Sequence, residues 1–469
     1  MGTLNIKVRF ERDYDVVVVG GGTTGVCASL AAARSGAKTA VVETGGFLGG
    51  MASIGFPWNG FHNYAEKKFT VRGIPLEIVA ELQSRGGASE FHYDPVMESL
   101  VQVNGSMLKI LLMEMTAREK IDLYLHSLAE EPLIIDNKLA GVYIHNKQGC
   151  ELLRAKVVID CTESADIAVK AGVPCYFGRK SDGQPQISSA VFSVTDIDME
   201  ALISYLEKIP GNIRPRKFTP DELAYVAKSL RESPLSCIGA FQELIEKAVK
   251  DGLSFPKRNM LSGTIYPKLN EMILVASKVP CVNPADADNY SLAEIEGYKQ
   301  VGEIFRFIKE YMPGGKNARI IDIGHQIGIR ETVHIQGLYE LSAGDLQSGQ
   351  KFNDAIAAGS YIMDIHSPNH GGLEPCTDLP TYYIPYRCLV PVNIDGLLVA
   401  GRCISATHEA ESAFRMIPIT GAIGQGAGTA AALSICGGVS LQKVDSKVLK
   451  QKLIEDGVEV GQSFNSING

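Results

Sequence analysis

Among the ten cysteines no two stand in a C-x-x-C pair, so zinc, iron–sulfur and dithiol redox sites lack their ligand spacing. Several of these thiols sit in strand-like apolar runs and read as buried free cysteines. The opening "MGTLNIKVRFERDYD" has no apolar signal-peptide core, and position 6 lacks the Ser or Thr of a myristoylation site. No uninterrupted apolar run reaches membrane-spanning length, so no membrane span is expected and a reducing cytoplasm is the simplest location. Basic charge is short as well. The net charge of −8 argues against a nucleic-acid partner, because phosphate contacts need basic patches. No internal repeat is present. What remains is an ordinary globular composition, 45% hydrophobic and 21% charged, over 469 residues, enough for two or three structural units.

The 48 glycines are not scattered. In "YDVVVVGGGTTGVCASLAAARSGAKTAVVE", residues 14–43, the run Tyr14 to Val19 reads as a buried parallel strand feeding a G-x-G-x-x-G, Gly20-Gly21-Gly22-Thr23-Thr24-Gly25. Gly20 permits the tight turn, Gly22 lets a pyrophosphate approach the backbone, and Gly25 lets the following helix pack on the strand. The helix start, with Thr23 and Thr24, presents N–H groups to phosphate. A second strand, 38–42, ends on Glu43, whose carboxylate can accept hydrogen bonds from both hydroxyls of an adenosine ribose. The pattern predicts dinucleotide binding.

The next residues, "TGGFLGGMASIG", replace a third regular β/α unit. After Thr44, Gly49 and Gly50 allow a second close backbone approach, Met51 follows, and Ser53 can hydrogen-bond a ligand. That suits FAD, extended beyond its pyrophosphate, better than NAD. Two distant segments agree. Residues 155–174 read as strand, turn at Cys161-Thr162-Glu163, and helix. Residues 394–435 read as a strand ending at Gly401-Arg402, a polar loop, and a small-residue helix starting near Thr420, Gly421 and Ala422. Its dipole would face the flavin N1–C2 region and stabilise the anionic reduced form.

These segments resemble the FAD-dependent oxidoreductases with a glutathione-reductase-type FAD domain, more particularly the bacterial family in which that domain is split around a substrate-domain insertion. The resemblance continues through "IGHQIGIRETVHIQGLYELSAGDL", "DAIAAGSYIMDIHSP" and "YYIPYRCLVPVNIDGLLVAGRCISATHEA", and is weakest between about 180 and 310. Glu163 departs from it, standing where the family usually has Gly after the Thr of this turn. The implied fold class is α/β: a Rossmann-like FAD-binding domain, parallel sheet plus β-meander, with an inserted α+β cap. Residues 10–178 and 385–445 would form the two parts of the FAD domain, 179–384 the insertion, and 446–469 a C-terminal tail. The meander, with turns at Asp136-Asn137 and 147–149, would bring Ser127, Leu128 and Ala129 beside the adenine. In the insertion, helical stretches near 197–208, 219–231 and 238–252 are separated by Pro210, Pro215, Pro220 and Pro234. Strand-like "NMLSGTIY" and "EMILVASKV" and a long helix near 291–312 follow. No second glycine-loop unit appears, which disfavours a dedicated NAD(P)H domain.

The flavin supplies the redox chemistry, and the protein must position substrate and handle one proton. His408, six residues past Arg402, is the first candidate acid or base, and His62 the next. Arg330 and Arg415 can clamp a carboxylate bidentately, or pair structurally with Glu331 and Glu411. Tyr383, Tyr386 and Arg387 are candidates to close the pocket. His366 and His370 have metal-like spacing, but Pro368 between them argues against a helix, and no metal site is expected. The leading expectation is an FAD-dependent oxidoreductase transferring hydride between a polar small-molecule substrate, a hydroxylated or carboxylated metabolite such as a sugar derivative, and flavin N5. The electron acceptor is unassigned and homo-oligomerisation open. The alternative is a flavin-bearing electron-transfer subunit of a larger redox complex. The tRNA-modifying flavoproteins of this fold are disfavoured by the acidic charge.

Overall fold

The computed structural model describes residues 7–94, 97–209, 219–368 and 378–461. Its centre is a seven-stranded sheet. The strand Val8–Val19 lies between Thr39–Val42 and Gly149–Asp160, parallel to both, and Asp122–Tyr124 extends the parallel edge. The valines of residues 16–19 are buried on both faces, as a near-continuous apolar run in a covered parallel sheet should be. The strand starts at Val8, well before the expected Tyr14, because residues 8–14 pair with residues 150–155.

Gly149–Asp160 has two kinds of partner along its length. Its first half pairs antiparallel with Lys138–Asn146, which in turn pairs with Leu128–Ile135; its last three residues pair parallel with Leu397–Val399. The meander and the returning chain are thus joined to one strand. The expected turn at Asp136-Asn137 is formed, both residues having positive φ. Helix Thr23–Arg34 packs directly against helix Ile417–Gly437 with backbones in contact. A Cβ on Gly424 would lie 2.2 Å from the Thr24 carbonyl, and one on Gly428 2.0 Å from that of Ala28. Only glycine permits that approach.

A second sheet, ordered Ser236–Ala240, Leu261–Tyr266, Glu271–Leu274, Phe192–Thr195, Arg319–Ile323, is wholly antiparallel. With helices Met199–Leu206, Pro220–Glu232, Gln242–Lys250 and Ala287–Glu310 it forms its own core around Phe192, Phe241 and Phe307. The third helix starts later than expected: 236–240 is a strand paired with 261–265, and Phe241, in the left-handed region, begins the turn into the helix. Pro210 and Pro215 lie outside the described residues. Leu341, Leu346, Ile356 and Tyr382, expected in the insertion, are buried in the main core. Part of the expected tail is likewise a packed helix, Ser446–Glu455, capped by Asp445 and anchored by Leu449 and Leu453.

Candidate functional site

A cleft of about 360 Å³ opens at the carboxyl ends of the parallel strands, where ligands of open α/β sheets bind. Its floor is the glycine turn. Gly20 has φ +99°, and a Cβ there would lie 2.6 Å from the Cys161 carbonyl. A Cβ on Gly25 would lie 1.9 Å from the Gly20 carbonyl, so this residue serves packing and does not line the cleft. Gly22 is the opposite case: nothing lies within 4 Å of a Cβ built on it, and it faces the cleft. The second glycine pair is tied to the first, with Gly49 N–H donating to the Gly21 carbonyl at 2.9 Å and Gly50 close to Gly22. At one end, Glu43 is held by the backbone N–H groups of Gly21 (2.7 Å) and Gly45 (2.6 Å). These two N–H groups and the Thr44 hydroxyl (3.1 Å) fix the carboxylate while leaving acceptor capacity for a ligand.

Thr23, Thr24, Thr44, Met51, Leu128, Ala129, Cys161, Thr162, Gly401, Arg402 and Thr420 also line the cleft, as expected of them. Besides Gly25, three expected residues do not. Ser53 turns inward and donates to the Gly50 carbonyl at 2.7 Å, closing a short 3-10 turn. Gly421 packs toward Pro75 and Cys27, and Ala422 is buried. Their helix begins at Ile417 after Met416, one turn earlier than expected, so its N-terminal end is at Ile417 to Thr420. The departure at Glu163 has a local use: its carboxylate accepts from Arg402 (3.1 Å), Gln326 (3.2 Å) and Tyr290 (3.2 Å) at the cleft wall.

Beyond Met51, Arg402, Arg415 and Ile417, which line both spaces, lies a chamber of about 280 Å³ between the main core and the antiparallel sheet. Arg330 and Arg415 are in it, as expected, and so is Arg258, which sequence reasoning missed. Arg415 donates to Asp364 Oδ2 at 3.2 Å, and Arg330 to the Ile187 carbonyl and Ser189 Oγ. His366 Nε2 sits 2.9 Å from Asp364 Oδ2. Burial and the Arg330 charge push His366 down to about 3 despite Asp364, so the imidazole is neutral at pH 7. Burial is also the first cause pushing Arg330 down to about 9, with Arg415 and Arg258 adding like-charge repulsion. His366 entered the sequence reading only as a metal candidate, and its partner there, His370, lies outside the described residues.

His408 and His62 line neither space. His408 is buried at the start of helix His408–Phe414, with Nδ1 2.7 Å from Glu331 Oε2; His334 bonds the same carboxylate. Burial alone would raise Glu331, but the two imidazoles hold it below the ordinary carboxylate range. The polar segment expected to carry His408 to the ligand is a helix whose first side chain faces a carboxylate 77 residues earlier. His62 is packed in an aromatic group with Tyr64 and Phe69. Tyr383, Tyr386 and Arg387 are also elsewhere: Tyr386 bonds the Leu441 carbonyl, and Arg387 pairs with Asp354.

A parallel sheet, a glycine turn opening a helix, and a carboxylate pinned at the second strand end define a dinucleotide-binding α/β protein. The sequence profile of the FAD dependent oxidoreductases matches residues 15–453, and the chain belongs to that family, with FAD as its cofactor. Among solved structures, a geranylgeranyl bacteriochlorophyll reductase-like protein from Thermoplasma acidophilum is 16% identical, covering 96% of this chain and 85% of its own, with TM-score 0.47. The p-nitrophenol 4-monooxygenase of Pseudomonas putida DLL-E4 is 11% identical, covering 97% and 91%, with TM-score 0.46. The glycine oxidase of Bacillus cereus is 13% identical, covering 92% and 98%, with TM-score 0.41. No helix among the described residues is long and apolar enough to cross a membrane.

Proposed function

We propose that this enzyme moves hydride between FAD and a carboxylate-bearing small molecule held in the chamber. The supporting observation is the guanidinium group of Arg258, Arg330 and Arg415 at the inner end of the cofactor cleft. Glu43 would hold the ribose end of FAD, and Gly20, Gly22, Thr23, Thr24, Gly49 and Gly50 the pyrophosphate. The residues shared by cleft and chamber would hold the far end. Bound there, FAD supplies the two-electron acceptor. Arg330 and Arg415 orient the substrate carboxylate, and the chamber walls exclude water. As the substrate carbon gives up hydride, its hydroxyl proton passes to the neutral imidazole of His366, at Nδ1; the bound substrate carboxylate offsets the Arg330 charge that weakens this base, and Asp364 holds Nε2 and stabilises the imidazolium. A chamber lined by buried polar groups favours a substrate-handling enzyme over an electron-transfer subunit.

The test is anaerobic stopped-flow bleaching of the flavin by a panel of 2-hydroxy acids and their neutral amide analogues. The acids are expected to reduce the wild-type enzyme and the amides not. His366→Ala should keep the bound-FAD spectrum and slow reduction by about 10²–10⁴-fold, the usual contribution of general acid–base catalysis. His408→Ala should leave the rate per bound FAD unchanged. Reduction by amides as fast as by acids would sink the carboxylate assignment, and a normal rate in His366→Ala would move the proton to another group.

A further inference from the structure

The charges around the chamber do not balance. Three guanidiniums, Arg258, Arg330 and Arg415, share it with a single described carboxylate, Asp364. That carboxylate is already engaged by Arg415 and by His366. Arg402, also on the wall, has its own partner in Glu163. Arg330 has only neutral acceptors, the Ile187 carbonyl at 2.8 Å and Ser189 Oγ at 3.0 Å. Arg258 has less: one long contact to the Val275 carbonyl at 3.4 Å, while its Nε and Nη2 are shut off from solvent without a hydrogen-bond partner. Neither has an ion-pair partner within 4.0 Å among the described residues. Among the described residues two positive charges are therefore left over in a largely desolvated space. Buried charge is tolerated when it is paired, and orphaned N–H donors are costly until something accepts from them.

We infer that the chamber is built for a small organic dianion, one anionic group on Arg330 and Arg415 and the second on Arg258. This rests on the reading of the chamber as the substrate site and narrows the substrate class within it. Nε and Nη2 of one guanidinium form a fork that a carboxylate or phosphate accepts bidentately, so the two free donors of Arg258 match one such group. A dicarboxylate and a phosphate monoester share this chemistry.

The experiment titrates the FAD-loaded enzyme with succinate, glycerol 3-phosphate, propionate and succinamide, following the flavin absorbance spectrum and the melting temperature. At least one dianion is expected to perturb the flavin saturably, with Kd about tenfold or more below that of propionate, and succinamide to do nothing; a charged hydrogen-bonded pair commonly contributes that factor. The tighter of succinate and glycerol 3-phosphate identifies the second anionic group. Arg258→Gln should raise the dianion Kd by about tenfold or more and leave that of propionate within about twofold, with Arg258→Lys in between. Should Arg258→Gln fail to hold FAD, the Lys variant and the wild-type ratio decide. Propionate binding as tightly as both dianions, or an unchanged ratio in the Arg258 variants, overturns the dianion and leaves the carboxylate reading standing. No response to any of the three anions, in spectrum or melting temperature, overturns both.

Discussion

Glu43 and Glu411 are both carboxylates with a fixed partner, and their surroundings give them opposite tasks. Glu43 is half-buried, accepts from two backbone N–H groups and faces the cleft. Glu43→Ala is expected to weaken FAD binding by about 1.5–3 kcal/mol, a loss of about ten- to 150-fold in affinity measured on apoprotein reconstituted with FAD. An unchanged affinity would remove Glu43 from the cofactor site. Glu411 is fully buried, with Oε2 on Gln186 and Oε1 unpartnered. Burial, then the Glu331 charge, raises it well above the ordinary carboxylate range, so it keeps its proton when folded. Above about pH 4.3 the unfolded chain has released that proton while the folded one holds it, so stability falls as pH rises until the folded group titrates. Glu411→Gln keeps the shape and removes the proton, and should flatten the fall of melting temperature between about pH 5 and pH 8. The same slope in the variant would contradict a protonated Glu411. Residue roles were legible only in part. Glu43 could be placed at the cleft because its position follows from a contiguous strand–turn–helix–strand. Arg258 stands in "PKRNM", which reads as an exposed charged loop, and only the folding of the second sheet over it makes a wall. His408 was misread because its direction is set by a partner far off in the chain.

At the level of elements, glycines in one site do two different jobs, and substitution separates them. Gly22→Ala places its Cβ in empty space, at an N-cap with φ −61° that any residue adopts. The variant should fold with an apoprotein melting temperature close to wild type but lose FAD, because the added methyl stands where the pyrophosphate would approach. Gly428→Ala drives a Cβ into the Ala28 carbonyl, which belongs to a helix and cannot swing aside. That variant should lose about 1–3 kcal/mol of stability or more, seen in chemical denaturation of the apoprotein, with FAD loss following from the displaced helix. If Gly22→Ala melts low while Gly428→Ala does not, the two glycines have been assigned the wrong way round. Elements of the main sheet could be anticipated because their signals, β-branched runs and paired turn residues, are short-range. The strand 236–240 could not: five residues with Gly239 among them show no period, and pairing with 261–265 is what makes them a strand.

Across the whole molecule, the two spaces are built by different parts of the chain. The cleft is lined mainly from segments 19–52, 127–163 and 400–420, the far wall of the chamber from 189–275 and 328–366. The acidic net charge, −8, gave no sign of a cationic chamber, since a sum over the whole chain says nothing of one enclosed space. Arg415 belongs to both walls. With FAD and substrate bound as proposed, one guanidinium would serve two anions, a substrate group on one side and, once electrons arrive, the negative charge of reduced flavin on the other. Charge drawn to the first is withheld from the second. A bound, non-reacting dianion should accordingly lower the midpoint potential of the flavin. A shift of about 30 mV corresponds to tenfold tighter binding by the oxidised state of a two-electron couple. Potentiometric titration with and without succinate measures it, and a rise would mean that Arg415 does not mediate between them. With that sign, the enzyme holds its electrons least firmly when the chamber is full, so discharge to an acceptor is thermodynamically easiest before the oxidised product departs.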